Sequence, residues 1–135
     1  MKQFQFELFS LVMLDIDNFK HVNDIYGHQE GDAVIIALAD ILRIRRIGPM
    51  QSSGRWGGEE FMVLLRGIEV SSAAYIADLK REIFANTSFS RIRSWTVSHG
   101  VTQAREDDTV DSLCTRVDMA LYKAKKNGKN RVEIE

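Results

Sequence analysis

The stretch from Phe6 to Leu14 limits this chain's possible folds more than any other feature. It is the most apolar run in the sequence, broken only by Glu7 and Ser10, and it ends at Asp15. A membrane-spanning helix needs about 20 apolar residues, so this run is far too short. No small-residue cleavage site follows it, which argues against a signal peptide. The remaining reading is a buried strand that delivers Asp15 and Asp17 to its end. A buried strand needs neighbours on its edges and cover on its faces, and the rest of the chain supplies both.

Phe19 to Tyr26 has apolar residues at helical spacing, Phe19, Val22, Ile25 and Tyr26, and Gly27 breaks the pattern. Asp32 can cap a longer helix with the apolar face Val34, Ile35, Leu38, Ile41 and Leu42, stopped by Gly48-Pro49. Ser52 to Trp56 and Phe61 to Leu65 flank Gly57-Gly58-Glu59-Glu60 and read as a β-hairpin. Ser71 opens another helix, with Ala74, Ile76, Ala77, Leu79, Ile83 and Phe84 available for its buried side. Trp95 to Thr102 reads as a strand, Val110 to Lys126 as a helix ending near Asn127-Gly128, and Arg131 to Ile134 as an edge strand. The predicted order is β-α-α-β-β-α-β-α-β. It implies an α/β (α+β) fold with one sheet of mixed direction and helices packed on it.

With 135 residues the chain fits one domain, 1–135, without internal repeat or linker. A net charge of −1 gives no field to recruit nucleic acid or an anionic membrane, so neither is an expected partner, and no direct membrane insertion is expected. Cys114 is the only cysteine, which excludes an internal disulfide and suits a cytoplasmic location.

Several polar groups offer chemistry. Asp15 and Asp17 alternate along a strand and project to one side, which suits either a solvated acidic turn or a hard cation such as Mg²⁺. Gly57 and Gly58 permit φ > 0 and close approach of a phosphate, or simply an exposed hairpin. Asn23 and Asp32 could together read a guanine edge, or sit respectively on a solvated helix face and at a helix N-cap. Lys123, Lys125, Lys126, Lys129 and Arg131 form either a solvated basic helix end or a counterpart for phosphates.

The joint order of these groups resembles one family. Leu14-Asp15-Ile16-Asp17-Asn18-Phe19-Lys20, Asn23-Asp24, Gly27-His28 and Gly31-Asp32 are similar to the opening of GGDEF domains. Arg55-Trp56-Gly57-Gly58-Glu59-Glu60-Phe61 resembles their signature in its GGEEF form. Thr96-Val97-Ser98-His99-Gly100 resembles their Ser-x-Gly strand, and Asp118 to Lys125 with Gly128 and Asn130-Arg131-Val132 their closing helix and strand.

The resemblance implies a mainly antiparallel sheet with flanking helices, like the palm of polymerases and nucleotidyl cyclases. It implies a diguanylate cyclase that condenses two GTP into cyclic di-GMP and pyrophosphate. On it, Asp15, Glu59 and the Ile16 carbonyl hold Mg²⁺ or Mn²⁺, two per active site, and Glu59 is also the candidate base for the attacking 3′-hydroxyl. Asn23 and Asp32 match the guanine-reading pair, Phe19 and Lys20 the phosphate-cradling turn, and Lys125 and Lys129 further phosphate contacts. Gly57 and Gly58 belong to the substrate-binding hairpin. Catalysis takes a homodimer of two such subunits, and an upstream sensor domain in the parent protein is expected. The alternative is a catalytically weak GTP-binding module that regulates a larger signalling protein.

Three departures stand out. The Arg-x-x-Asp of product-inhibited members is replaced by Gly48-Pro49-Met50-Gln51, so no primary inhibitory site is expected. The usual Asp-x-Leu-Thr-Gly-Leu-x-Asn-Arg segment ahead of the first strand is missing. Lys129 stands where Arg is usual, which keeps the charge and loses a bidentate fork.

Overall fold

The computed structural model describes residues 6–44, 51–89 and 94–135. The elements follow the predicted order: β1 (Phe9–Ile16), α1 (Phe19–Tyr26), α2 (His28–Ile44), β2 (Gln51–Arg55), β3 (Glu60–Arg66), α3 (Val70–Ala85), β4 (Val97–Gln103), α4 (Val110–Lys126) and β5 (Val132–Ile134). They form one five-stranded sheet in the order β2-β3-β1-β4-β5. All pairings are antiparallel except β4 with β5. Among the described residues no helix is long and apolar enough to cross a membrane.

β1 lies at the centre of the sheet, and the apolar run dictates this position. Side chains alternate between the two faces. Val12, Leu14 and Ile16 join Phe61, Val63, Leu65, Val97 and Val101 in the larger core, under apolar residues of α1, α2 and α3. Leu11 and Met13 face the other way and pack on Val117 and Leu121 of α4. Because both faces are covered, the run is apolar at nearly every position rather than at every second one.

The structure differs from expectation where short-range signals mislead. β1 starts at Phe9 and runs on through Asp15 and Ile16, while Phe6 and Leu8 stay exposed. Gly27 turns the chain between α1 and α2 in a single residue, at φ +90, so α2 begins at His28. Asp32 therefore sits inside the helix, not at its N-cap. α3 begins at Val70, with Glu69 in the capping position and both Ser71 and Ser72 donating to its carboxylate. Leu79 points to solvent, and the buried stripe is Ala73, Ala77, Lys80 and Phe84. That stripe steps by four, three and four residues, as a helix face requires. The Gly48-Pro49 stop and most of the Gly48 to Gln51 window lie outside the described residues.

The larger core encloses an unusual polar chain. Lys80, 5% exposed, donates to Gln51 Oε1 at 2.9 Å, and Gln51 Nε2 donates to the Leu42 carbonyl at 2.9 Å. Burial pushes the Lys80 ammonium down to about 8. His99 of β4 lies beside it against Leu14, Leu65 and Ala77, and its Nδ1 has no hydrogen-bond partner. Burial first, then the nearby Arg81 charge, pushes His99 down to about 3.

A base whose folded pKa is depressed binds fewer protons in the folded state than in the unfolded one. His99 therefore costs stability as pH falls below 6.5 toward 3, by about 1.4 kcal/mol per pH unit once well inside that window. His99→Asn should flatten the wild type's acid loss of stability between pH 6.5 and 4, measured by denaturant unfolding at each pH. Parallel wild-type and mutant slopes would contradict this.

Candidate active site

The end of β1 organises the site, because three other segments converge there. The hairpin between β2 and β3 reaches it through a four-residue loop, Trp56 to Glu59. Trp56 N–H and Gly57 N–H both donate to the Glu60 carbonyl, at 2.8 and 3.2 Å, and Ile16 N–H donates to the Glu59 carbonyl at 3.3 Å. The guanidinium of Arg55 closes the loop from the side: Nε and Nη2 donate to the Gly58 carbonyl at 3.0 and 2.6 Å, and Nε to that of Gly57 at 3.2 Å. A trans peptide sets its C=O and N–H antiparallel. Arg55 thereby turns the N–H groups of Gly58 and Glu59 away from itself. Sequence reasoning missed this role of Arg55; its place directly ahead of the loop was the available signal.

Gly57 and Gly58 are not needed for positive φ, since among the described glycines only Gly27, Gly67 and Gly128 adopt it. They supply space instead. A Cβ on Gly58 would meet nothing within 4 Å, so the backbone there is open to a ligand, whereas one on Gly57 would lie 3.2 Å from Glu60 Oε1.

Beside the hairpin lies a cleft of about 380 Å³. Phe19, Lys20 and Asn23 of α1 form one wall, His28, Asp32 and Ile35 of α2 another, and Arg55, Gly58 and Glu59 the third. Phe19 is buried in the core while Lys20 is exposed. Asn23 is seated against Gly31, where an added Cβ would lie 1.9 Å from its Oδ1. The structure thus brings together Phe19, Lys20, Asn23, Asp32, Gly58 and Glu59.

The remaining predicted residues do not line that cleft: Asp15 and Ile16 end β1, Gly57 lies in the hairpin, Lys125 is in the last turn of α4 and Lys129 follows it. Asp15 pairs with Glu60 in the β1–β3 register. Its Oδ1 is buried without a hydrogen-bond partner, and its Oδ2 lies 3.7 Å from Lys125 Nζ. Burial, with smaller contributions from Glu59, Glu60 and Asp17, pushes the Asp15 carboxyl up to about 6 against the opposing pull of Lys125. Lys129 Nζ reaches Asn18 Oδ1.

A buried oxygen with no donor, in a carboxylate raised chiefly by burial and further by neighbouring carboxylates, fits a hard divalent cation. Among the described residues no group of three His, Cys, Asp or Glu side chains converges, so Asp15 and Glu59 would share such an ion with carbonyl and ligand oxygens.

Asp17 departs from the expected pairing with Asp15 in a cation site. It is 1% exposed, and Thr96, Ser98, Lys125 and the Asn130 N–H saturate its oxygens. No oxygen is left over for a metal.

Comparison with known proteins identifies the family. The family model described as "Diguanylate cyclase, GGDEF domain" matches residues 2–131. Diguanylate cyclase DgcM of Escherichia coli (strain K12) is 44% identical over 125 residues, covering 92% of this chain and 30% of that protein. The chain spans about a third of the length of such relatives; for a diguanylate cyclase of Vibrio cholerae, 38% identical, the share is 38%. The active GGEEF domain of a diguanylate cyclase from Vibrio cholerae superposes with a TM-score of 0.88 at 37% identity, covering 95% of this chain and 83% of that one. The GGDEF domain of DgcB from Caulobacter crescentus, solved in complex with c-di-GMP, gives 0.90 at 32% identity, covering 95% and 78%. With its GGEEF hairpin, its sheet and nearly its whole length matched, the chain belongs to the GGDEF domain family.

Proposed function

We propose that this domain is a diguanylate cyclase, which joins two GTP molecules into cyclic di-GMP with release of two pyrophosphates. The observation that carries the reading is the buried, partnerless Oδ1 of Asp15, at a strand end adjoining Glu59 and a cleft that holds Asn23 and Asp32.

In this reading guanine enters the cleft and is held on its edge by Asn23 and Asp32. The triphosphate lies over the start of α1, with Lys20, Lys125 and Lys129 offering positive charge. Asp15, Glu59 and the Ile16 carbonyl would hold Mg²⁺ or Mn²⁺, two ions per site. Such ions neutralise charge on the triphosphate and the leaving pyrophosphate. Glu59 takes the proton from a 3′-hydroxyl as that oxygen attacks the α-phosphate of the GTP on a second subunit, and the α–β bridging oxygen leaves with pyrophosphate. The two subunits face each other and each repeats the step.

The test is incubation with GTP and Mg²⁺ or Mn²⁺, followed by nucleotide separation. Cyclic di-GMP should appear at a rate that rises faster than linearly with enzyme concentration, because two half-sites must meet. Absence of product at any protein concentration would overturn the reading.

Base selectivity gives a second check. A cleft built to hydrogen-bond a base edge rejects the wrong base because its own polar groups are left unpaired, at about 1–3 kcal/mol each. Asp32→Ala should weaken GTP binding far more than ATP binding in calorimetry. Gly31→Ala should do the same by displacing Asn23, since the added methyl occupies the site of the amide oxygen. Equal wild-type affinity for GTP and ATP would contradict the assignment.

A further inference from the structure

Asp17 follows β1 by one residue and ties four segments together. Oδ1 accepts from Ser98 Oγ of β4 at 2.6 Å and from Lys125 Nζ in the last turn of α4 at 2.8 Å. Oδ2 accepts from Thr96 Oγ1, just before β4, at 2.7 Å, and from Asn130 N–H, in the turn between α4 and β5, at 3.0 Å. The Asp17 backbone is held as well: its N–H donates to the Thr96 carbonyl at 2.9 Å, and its carbonyl accepts from the Trp95 indole. Burial alone would raise this carboxyl, but the hydrogen bonds from Lys125, Ser98 and Thr96 hold it below the usual range. It is therefore a fixed negative charge in a dry place.

Two of its four partners determine where cations stand. Lys125 is one. The other, Asn130, follows Lys129, and both residues adopt left-handed backbone, φ 64 for Lys129 and φ 47 for Asn130. Side chains disfavour that region, so the turn needs an external hold. It has one: Asn130 N–H also reaches Ser98 Oγ at 3.1 Å, and its Oδ1 accepts from Arg81 Nη1 at 2.8 Å.

We propose that Asp17 is a positioning residue for triphosphate binding: it sets Lys125 and the Lys129–Asn130 turn as a pre-formed cationic seat while touching neither nucleotide nor metal. The inference rests on the reading of this site as a GTP site. It adds that the second carboxylate of the Asp15-Ile16-Asp17 run serves phosphate recognition and not metal ligation.

A merely structural role for Asp17 would alter binding of every guanine nucleotide alike, whereas a positioning role depends on the phosphates. The probes are a non-hydrolysable methylene analogue of GTP and GMP, titrated calorimetrically with Mg²⁺ into the 135-residue chain and its variants. The wild type should prefer the triphosphate. Lys125→Met should lose on the order of 10–100-fold of triphosphate affinity with GMP little changed, and Asp17→Asn should match it, as loss of an orienting partner does elsewhere.

Asp17→Asn that folds and keeps its triphosphate preference, while Lys125→Met loses it, would overturn the proposal and leave the GTP site standing. Equal losses for GMP and triphosphate would also overturn it. A wild type that binds neither probe would remove both readings together. Should Asp17→Asn fail to fold by circular dichroism, Thr96→Val and Ser98→Ala each remove one bond to the same carboxylate. Those variants should lower triphosphate affinity several-fold with GMP unchanged, and an unchanged triphosphate affinity in both would overturn the proposal.

Discussion

Gly100→Ala should destabilise the domain more than any other single methyl added to the sheet. A Cβ built there lies 2.3 Å from Leu121 N, 2.7 Å from the Val117 carbonyl oxygen and 2.8 Å from the Ala120 carbonyl carbon. All three are backbone atoms of α4, so no rotamer change relieves the clash, and the helix itself must lift from β4. Overpacking a close-packed interior costs typically 1–3 kcal/mol where side chains can yield. Here the cost should reach about 3 kcal/mol or more, a large part of a stability of roughly 5–15 kcal/mol. Lifting α4 also exposes Val117 and Leu121, which carry the smaller core. Denaturant unfolding should show a clear drop in midpoint. The matched control is Gly54→Ala on edge strand β2, where a Cβ meets nothing within 4 Å and the change should stay within about 0.5 kcal/mol. Equal midpoints for the two variants would contradict this expectation.

The second large effect is on turnover. Glu59→Gln keeps shape and hydrogen-bonding capacity but removes both the negative charge offered to a cation and the basic oxygen. Either loss alone is worth several kcal/mol of barrier, so the rate of cyclic di-GMP formation should fall on the order of 10³-fold or more. The fold should survive, because the loop is held by backbone groups and by Arg55, through Ile16 N–H on the Glu59 carbonyl and Arg55 on the Gly58 carbonyl. The measurement is initial rate with Mg²⁺ and with Mn²⁺, beside circular dichroism and thermal unfolding of the same samples. A folded Glu59→Gln retaining more than a tenth of wild-type activity would remove Glu59 from the chemistry.

The sequence made some features legible for identifiable reasons. The boundaries of α1 and α4 coincide with the reading because chain-breaking residues mark them: Gly27 after α1, Asn127-Gly128 after α4. The central position of β1 was legible because only a doubly covered strand is apolar along most of its length. The start of α2 was not, because a capping-competent residue, Asp32, stands one turn inside a helix that needs no cap there. Lys80 was missed because burial of an ammonium depends on Gln51, which reaches it from another element.

Asp17 was the costliest ambiguity at the site. A carboxylate at a strand end looks the same whether it meets a cation or a ring of donors. Its partners lie 79, 81, 108 and 113 residues away, beyond any local pattern. Within the cleft, Asn23, Asp32 and Glu59 were picked out by family resemblance more than by spacing, since each alone also fits an ordinary surface position.

The sheet order also shapes how the chain reaches this state. β1, at the centre, is the first strand made, and both partners follow far behind: Asp15 waits for Glu60 on one edge and Ser98 on the other. Loop closure must come before those pairings can contribute, which puts the domain among the slower folders for its size. During synthesis Leu11 to Leu14 stand ready with both edges open until β3 emerges, the state in which strands pair with the wrong neighbour. The carboxylates at the strand's end bear on this stage of folding. Charge at Asp15 and Asp17 interrupts an otherwise sticky strand and discourages a second chain from extending it.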